Sequence, residues 1–571
     1  MWLLCFEPGI FCCGGRTTRV GALTSEELLR QLTDTPNDEA LHRELGRRVV
    51  NHSYDDELSR AVNTNFEEMV PPSDRRRPPP AESRPTWHNY IGEQVCHPHE
   101  IHEPTSLQDL IAAVEAGKAS KLKVRAVGSG HSFSDVCPTD GILLDPHGMD
   151  KVLPISGNAL KDPSLASKLF AVESGITISD LNKHLDRQHL ALTNMGAYDG
   201  QTFAGAISTG THGTGVALGP LASSVRSLIL VSETGTVYQL EPSDGITDPA
   251  KFDPGPNKIV LKQDDDWFHA ATVAMGCLGL IYAYTIEVEP SYFLKENRTL
   301  STWEDVKTQL QDGPSAPLLT QNRHFELDIN PYADPITSRH LCIQVVRNKH
   351  DGPPKGSRGF SNWLSGILAS WHTAEEWLVW FLNKFPAQSP ALVTRALNTL
   401  VTPDPSVGYI DKSFKVMNLG AVNEVKALGI ELSLDASNNL VGQVDKLLSV
   451  IDRAARERGW FMAGPMSLRF VAPASALVAP QEGRVTCMVE LDILLGIRTG
   501  KDLLKFVEEE MYKPGNGVRV HWGLDLDTVT GEQARGMYPQ WQRWMAVYEQ
   551  LNQTGIWNNA FTDRLGISIG Q

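Results

Sequence analysis

The sequence predicts a globular protein of the α+β class, and three features of the 571-residue chain support this class. Hydrophobic residues make up 41% and charged residues 21%, which is typical of a folded protein and excludes wholesale disorder or a collagen-like chain. From Trp87 onward, strand-like and helix-like patterns alternate. No apolar run approaches the roughly 20 residues that a membrane-spanning helix needs.

The charge balance and the cysteines exclude several classes of function. The formal net charge is −16, which argues against nucleic-acid binding because phosphate groups need a basic face. The eight cysteines include no Cys-x-x-Cys pair and no zinc-like spacing, so neither a disulfide scaffold nor a metal site is expected. The apolar start has no basic region or cleavage site, so the cytoplasm is the expected location.

Residues 1–85 are predicted to form a helical N-terminal extension that ends in a linker. A helix start is indicated at Thr24, and the linker is the Pro- and Arg-rich stretch 71–80, where proline removes backbone donors. Cys12 and Cys13 are candidates for palmitoylation, which keeps membrane association open. The alternative is an unmodified pair in a disordered start.

Alternating elements follow the linker. A helix begins after the N-cap candidate Ser106 and ends near Gly117, and a second long helix is expected from about Val441 to Arg458. A hairpin turn is expected at Glu233-Thr234-Gly235. Strands are predicted at 122–127, 168–173, 226–232 and 280–288.

The stretch 355–400 is rich in tryptophan and reads as an insertion. Its tryptophans and leucines recur at helical spacing, which favours a pair of helices packed on the core. The alternative is an interfacial helix or a lid over an apolar substrate, with peripheral membrane contact through 360–385.

A glycine-rich loop directly follows the first of these strands and reads Gly128-Ser129-Gly130-His131-Ser132-Phe133-Ser134-Asp135. Glycine lets backbone amides approach a ligand, and the serines add hydroxyl donors. The loop predicts a pyrophosphate cradle, although it matches neither GxGxxG nor a P-loop. Taken alone, it fits a plain turn with a surface histidine equally well.

A second loop, residues 194–215, contains six glycines and five serines or threonines. A backbone of this composition can wrap a large polar ligand.

The stretches VGSGHSFSD (127–135) and GQTFAGAISTGTHGTG (200–215) together resemble the FAD-binding domain of the vanillyl-alcohol oxidase / p-cresol methylhydroxylase superfamily. Within it, the sequence is most similar to sugar-1,4-lactone oxidases, which act on D-arabinono- or L-gulonolactone, and to alditol oxidases. The stretch 266–281 resembles the end of the FAD domain, and His521-Trp522-Gly523 resembles the family's His-Trp-Gly/Ala-Lys signature. Tyr538-Pro539 and 558–565 resemble the downstream end.

The resemblance implies a two-domain p-cresol methylhydroxylase-type fold with an α/β FAD domain that is split in sequence. We expect the FAD domain at 86–290 and a substrate domain of antiparallel sheet plus helices at 291–520. Residues 521–571 are expected to return to the FAD domain.

The resemblance also implies the cofactor and its binding residues. His131 matches the histidine that is often bonded to the flavin C8α methyl, so FAD covalently attached through His131 is expected, with a non-covalent packing role as the alternative. His212 is expected to be a structural histidine near the cofactor. The expected FAD-binding residues are Gly128, Ser129, Gly130, His131, Ser132, Ser134, Gly196, Asp199, Gln201, Thr202, Gly205, Ala206, Ser208, Thr209, His212, Gly213, Thr214 and Ile281.

The substrate pocket departs from the family. Related enzymes present a Glu-x-Arg pair and the signature lysine; here Arg469 matches the arginine, Ser467 stands at the glutamate and Leu524 at the lysine. Losing a charge and an acid makes a pocket less suited to hydroxyl-dense substrates. Glu490 and Glu431 are candidate replacement acids, with an outward strand face as the alternative for each, and His521 is another candidate base.

We therefore expect an FAD-dependent oxidoreductase that takes a hydride from a CH–OH carbon to flavin N5. Arg469, Ser467, His521 and Glu490 are the expected catalytic residues, a small alcohol or lactone is the substrate, and molecular oxygen reoxidises the flavin. One alternative keeps this chemistry on a larger apolar alcohol such as a terpenoid, sterol or polyketide. Another is an FAD-binding scaffold with weak catalysis.

Overall fold

The computed structural model describes residues 84–356, 374–419 and 426–570. The extension and linker predicted for 1–85 lie outside the described residues except for the last two, and so do Cys12 and Cys13.

Twenty-one strands form the described sheets. In chain order they are β1 (Trp87–His88), β2 (Val95–Cys96), β3 (Glu100–His102), β4 (Val124–Ala126), β5 (Ile142–Leu144), β6 (Val152–Leu153), β7 (Leu169–Glu173), β8 (Leu190–Ala191), β9 (Val225–Val231), β10 (Val237–Glu241), β11 (Val260–Gln263), β12 (Leu280–Glu287), β13 (Glu289–Pro290), β14 (Phe293–Thr302), β15 (His324–Ile329), β16 (Leu341–His350), β17 (Tyr409–Lys412), β18 (Ala427–Asp435), β19 (Met466–Val471), β20 (Thr486–Leu494) and β21 (Arg519–Val520).

The α-helices of the described residues pack on the faces of these sheets. They are α1 (Leu107–Ser120), α2 (Ile178–Arg187), α3 (Phe203–Thr209), α4 (Asp265–Thr272), α5 (Trp303–Gln309), α6 (Pro317–Thr320), α7 (Ala374–Lys384), α8 (Ser389–Thr399), α9 (Ser413–Met417), α10 (Leu440–Arg458), α11 (Gly500–Met511), α12 (Gly531–Met537), α13 (Trp541–Leu551) and α14 (Ala560–Arg564).

Two sheets form the N-terminal part of the fold. Strands β3, β5 and β4 pair in parallel, and β11, β10, β9, β12, β7 and β6 form a six-stranded mixed sheet in that order. The expected hairpin is confirmed: Val231 pairs with Val237, and Gly235 between them has a φ of +79°. Helix α1 begins as predicted, because the Ser106 side chain accepts a hydrogen bond from the Asp109 amide.

An eight-stranded sheet, entirely antiparallel, forms the second part, with the order β17, β14, β16, β15, β19, β20, β18, β21. Side chains alternate between its two faces. One face carries buried aliphatic residues such as Ile430, Leu468 and Leu491, which share a core with Leu447 of α10 and Leu503 of α11. The opposite face is polar and meets the N-terminal part.

The chain end returns to the N-terminal part. The Val124 amide donates to the Ile556 carbonyl at 2.8 Å, and Trp557 shares a core with Leu110 and Val114 of α1. The Asn559 side-chain amide donates to the carbonyls of Val136 and its neighbours. A split N-terminal domain is therefore the arrangement in the structure.

Helices α7 and α8 are the described part of the tryptophan-rich insertion. Val393 and Leu397 of α8 pack on Ile343 and Val345, which point to the polar face of the sheet. Phe381 belongs to a second small apolar cluster on α7. The expected packing of helices on the core is confirmed for this part.

Candidate active site

A cleft of about 1050 Å³, including its open side, lies in the N-terminal part. The first glycine loop forms one wall, the stretch 201–209 forms another, and Gly279 to Ile281 close it. The two walls touch, because a Cβ on Gly128 would lie 2.1 Å from Thr202 Oγ1. Close approach of two backbones explains the glycine at this position.

His131 lies at the cleft between two aromatic rings. Its ring stacks on Tyr90 with centroids 4.6 Å apart and tilts against Tyr198 at 4.4 Å. Burial lowers the pKa of His131 to about 4, so the imidazole is neutral near pH 7. Among the residues that the structure describes, none hydrogen-bonds to a ring nitrogen of His131. A neutral, unbonded nitrogen is what a nucleophilic histidine needs.

Most of the sequence-predicted cofactor residues line this cleft. They are Gly128, Ser129, Gly130, His131, Ser132, Ser134, Gln201, Thr202, Gly205, Ala206, Ser208, Thr209 and Ile281. The others lie beside it in supporting positions. Gly196 packs near Thr211, and the Asp199 carbonyl accepts the Ser179 amide. Gly213 and Thr214 line a separate cavity, described below.

Arg125 is a cleft-lining residue that the sequence analysis did not identify. Arg125 is buried and donates to the carbonyls of Gly276, Met275 and Trp557 at 2.8, 2.7 and 3.1 Å. It therefore ties the cleft wall to the returning chain end. The only signal in the sequence was its position in a strand that alternates apolar and basic residues.

The polar face of the eight-stranded sheet gathers charged residues from seven strands. Register places directly opposite residues on the same face. Its charged and hydroxyl-bearing members are Glu296, Arg298, His324, Glu326, Asp328, Arg347, Glu431, Ser433, Ser467, Arg469, Glu490, Asp492 and Arg519.

A chain of ion pairs crosses this face and runs through Arg469 to Glu490. Glu296 pairs with Arg298 at 3.0 Å and with Arg347 at 2.7 Å. Arg347 pairs in turn with Glu326 at 2.9 Å. Arg469 then lies 3.2 Å from Glu326 and 2.7 Å from Glu490. These carboxylates outweigh burial and raise the pKa of Arg469, so its guanidinium is charged and fixed.

Ser467, Arg469, Glu490 and Asp492 are only partly buried and form the accessible floor of this face. The Ser467 hydroxyl donates to Asp328 Oδ1 at 2.6 Å, so a carboxyl group stands directly behind the serine. Sequence reasoning missed Asp328, because nothing local links it to a strand 139 residues away.

His212, Glu431 and His521 form a buried cluster at the edge of the face, with ligand atoms within 4.8 Å of one another. His212 Nδ1 bonds to the Gly213 carbonyl at 2.8 Å, and Nε2 lies 3.0 Å from a Glu431 oxygen. Burial opposes the charged imidazole, but Glu431 outweighs it and raises the pKa of His212. A buried imidazolium–carboxylate pair accounts for this geometry without a metal ion.

His521 has no free nitrogen for proton transfer. Its Nδ1 accepts from the Gly523 amide at 3.1 Å, and its ring also bonds to the Gly210 carbonyl. Burial lowers the pKa of His521 to about 4. The geometry therefore favours a structural role beside His212, whose ring centroid is 6.0 Å away.

The cleft and the polar face are joined by hydrogen bonds. The Phe133 amide donates to the Gly523 carbonyl at 2.8 Å, and the Ser134 hydroxyl donates to the Trp522 carbonyl at 2.7 Å. The second loop contributes Gly213 and Thr214 to a cavity of about 300 Å³ that His324, Glu326, Arg347 and Arg469 also line. The second loop thus contacts the sheet that carries Arg469, and the first loop bonds to the segment that directly follows strand β21 of that sheet.

These features fit a bound dinucleotide cofactor. The cleft combines glycine backbone that lies too close for side chains, serine and threonine hydroxyls, and apolar residues such as Leu110 and Met149. His131 stands where a flavin ring could be attached or packed.

Comparison with known proteins decides the family. A model of an FAD binding domain matches residues 98–241, and a model of D-arabinono-1,4-lactone oxidases matches residues 284–565. The L-gulono-1,4-lactone dehydrogenase of Mycobacterium tuberculosis is 30% identical over 491 residues, covering 84% of this chain and 99% of that protein. The chain belongs to the D-arabinono-1,4-lactone oxidase family.

Membership makes the protein an FAD-dependent oxidoreductase. The L-gulonolactone oxidase of Bos taurus is also similar, at 24% identity over 84% of this chain and 98% of that one. Residues 1–83, which the structure does not describe, fall outside both family matches.

Solved structures agree on the fold. A solvent-stable cholesterol oxidase superposes with a TM-score of 0.59 at 16% identity, covering 85% of this chain and 97% of the other. The cholesterol oxidase from B. sterolicum gives the same TM-score at 13% identity. The two-domain p-cresol methylhydroxylase-type architecture expected from the sequence is thereby confirmed. In the described ranges, no helix is long and apolar enough to span a membrane.

Proposed function

We propose that the protein oxidises a CH–OH group of a sugar-1,4-lactone. The observation that carries this proposal is the accessible floor of Ser467, Arg469, Glu490 and Asp492 on the sheet face joined to the FAD loops. A fixed cation beside carboxylates and a hydroxyl suits a substrate with several hydroxyl groups. The names of the relatives, which are lactone oxidases and a lactone dehydrogenase, support the same class.

The residues divide the work in the following way. FAD supplies the hydride acceptor when it is bound in the cleft. Arg469, held by Glu326 and Glu490, orients the substrate and stabilises negative charge. Glu490 is paired with Arg469 and offers a further hydrogen-bond acceptor to substrate hydroxyls on this floor. The engaged nitrogens of His521 disfavour it as the base.

We further propose that FAD is bonded covalently to His131. A neutral imidazole that makes no hydrogen bond to any residue the structure describes, held between Tyr90 and Tyr198, supports attack on the flavin C8α methyl. Acid precipitation of the purified protein should leave a yellow pellet. His131→Ala should release the flavin to the supernatant, whereas the exposed-site control His99→Ala should not. A yellow supernatant from the unaltered protein would make His131 a packing residue.

Molecular oxygen is the proposed acceptor that reoxidises the flavin. Hydrogen peroxide formed in step with lactone consumption supports this acceptor. Lactone oxidation that needs an added dye would instead assign a dehydrogenase.

A larger apolar alcohol is the second candidate substrate. One observation favours it: Leu494, on the same strand face as Glu490 and Asp492, packs against the apolar cluster of α7. If the substrate is such an alcohol, the proposal includes peripheral membrane contact through the tryptophan-rich segment.

Anaerobic mixing with a panel of alcohols tests the proposal. L-gulono-1,4-lactone or D-arabinono-1,4-lactone should bleach the flavin within seconds, and xylitol should act more slowly. Bleaching by cholesterol but not by either lactone would favour a larger apolar alcohol as the substrate. No bleaching by any of them would favour an FAD-binding scaffold.

A further inference from the structure

A single row of side chains crosses the polar face at its centre. Register pairs Asp328 with Ser467, Ser467 with Glu490, and Glu490 with Glu431. Directly opposite residues on antiparallel strands lie about 4.5–5.5 Å apart, so the row is continuous.

The three carboxyl groups of the row differ in whether a cationic side chain contacts them. Glu431 is paired with His212 and Glu490 with Arg469. Asp328 has no ion pair among the residues that the structure describes; its contact is the hydroxyl of Ser467, which donates to Oδ1 at 2.6 Å. In the part of the chain that the structure describes, Asp328 is thus the one carboxyl of the row without a cation in direct contact.

Accessibility also differs between the two partners. Asp328 is buried, with 8% of its surface exposed, whereas Ser467 is partly accessible on the floor beside Arg469. A substrate hydroxyl that approaches this face therefore meets Ser467 more readily than Asp328. The serine hydroxyl can accept one hydrogen bond while it donates another.

The charged groups around Asp328 set its basicity. Glu326 neighbours it on β15, Arg298 lies on β14, and Arg469 and Glu490 lie on β19 and β20. Above it, α8 contributes the apolar side chains of Val393 and Leu397, which pack on neighbouring positions of the same face. Burial, followed by Glu326, raises the pKa of Asp328 to about 6. A general base works best when its pKa is near the working pH.

We propose that Ser467 and Asp328 form a proton-accepting relay for the substrate hydroxyl. The substrate O–H donates to Ser467 Oγ, and Ser467 passes its own proton to Asp328. The C–H hydride leaves to bound FAD, so the O–H and C–H bonds break as the C=O bond forms. The relay rests on the proposed lactone oxidation, and it assigns the base to a residue outside the expected catalytic set.

Three variants of the holoenzyme test the relay by anaerobic stopped-flow flavin reduction with L-gulono-1,4-lactone across pH. In the unaltered enzyme the rate should rise with pH through about 6, because Asp328 must be ionised to accept a proton. Asp328→Asn and Ser467→Ala should each lower the rate about 100-fold, remove this rise and leave KM little changed. Ser467→Thr should restore the rate and the pH profile.

The matched control is Ser406→Ala, which breaks an exposed serine–aspartate hydrogen bond that is also 2.6 Å long. It should leave the rate unchanged. A Ser467→Ala enzyme with the unaltered rate and pH profile would overturn the relay while leaving the lactone oxidation standing.

A substrate-free measurement separates the two proposals. The infrared band of the protonated Asp328 carboxyl, identified by its loss in Asp328→Asn, should titrate near pH 6. In Ser467→Ala it should persist to higher pH, because the lost hydrogen bond stabilised the carboxylate. An unshifted titration would overturn the relay even if no lactone reduces the flavin.

Discussion

The cleft and the polar sheet face meet at the same site, but they are built by opposite means. The cleft uses backbone and glycine from two continuous stretches, 128–134 and 201–209. The face uses charged side chains from five separate strands that pair with one another. Backbone cradles suit a cofactor of fixed shape, whereas a side-chain floor can change with the substrate.

Removing one charged side chain from the polar face should lower the free energy of unfolding strongly. Arg347→Met leaves Glu296 and Glu326 each short of one buried partner, and the loss should cost about 4 kcal/mol of unfolding free energy. Urea denaturation monitored by tryptophan fluorescence measures it. The control Arg226→Met breaks a surface pair with Glu287 and should cost less than about 1 kcal/mol. Equal losses of unfolding free energy in the two variants would mean that the buried ion pairs stabilise the fold no more than a surface pair does.

The cleft should instead be disrupted when a glycine gains a Cβ atom. Gly279 has a φ of +145°, and a Cβ there would lie 2.6 Å from the Val231 carbonyl oxygen. Gly279→Ala should cost about 3 kcal/mol and reduce the flavin retained on gel filtration. The control Gly157→Ala meets only Ala166 at 3.7 Å and should keep its flavin. Full flavin content in Gly279→Ala would show that the cleft can accommodate a Cβ at this position and still bind the flavin.

The buried His212–Glu431 pair should give the smallest and most pH-dependent effect. The pKa of His212 is raised, so this group contributes stability that is lost as the pH rises through the raised pKa. Burial opposes ionisation of Glu431, but His212 outweighs burial and lowers the pKa of Glu431. This second group therefore contributes stability that is lost as the pH falls through the lowered pKa. Glu431→Gln should therefore cost about 2 kcal/mol between about pH 4.3 and 6.5. The difference from the unaltered protein should shrink on either side of this window in urea titrations.

The contrast explains what could be predicted from the sequence. Val225–Val231 and the cleft loops could be found because their signals are local: an apolar run followed by a turn for the strand, and glycine with serine for the loops. Asp328 could not be found, because its meeting with Ser467 depends on strand register. Taken alone, Ser467 suggests a pocket that has lost an acid. The structure instead brings Asp328 to it, with Glu490 and Asp492 nearby.

His521 shows a second limit of sequence reasoning. A histidine beside a signature tryptophan fits a catalytic base, but its two nitrogens are satisfied by the Gly523 amide and the Gly210 carbonyl. Hydrogen-bond occupancy of this kind depends on loop geometry, which residue types do not specify.

Arg469→Lys tests the central claim, that the cleft holds FAD and the sheet face handles the substrate. Lysine keeps the positive charge but cannot bridge Glu326 and Glu490 as the guanidinium does. One preparation should be measured for flavin content and for anaerobic reduction by L-gulono-1,4-lactone. We expect full flavin content with reduction slowed at least about 100-fold. Loss of flavin, or reduction at the unaltered rate, would contradict the division between cleft and face.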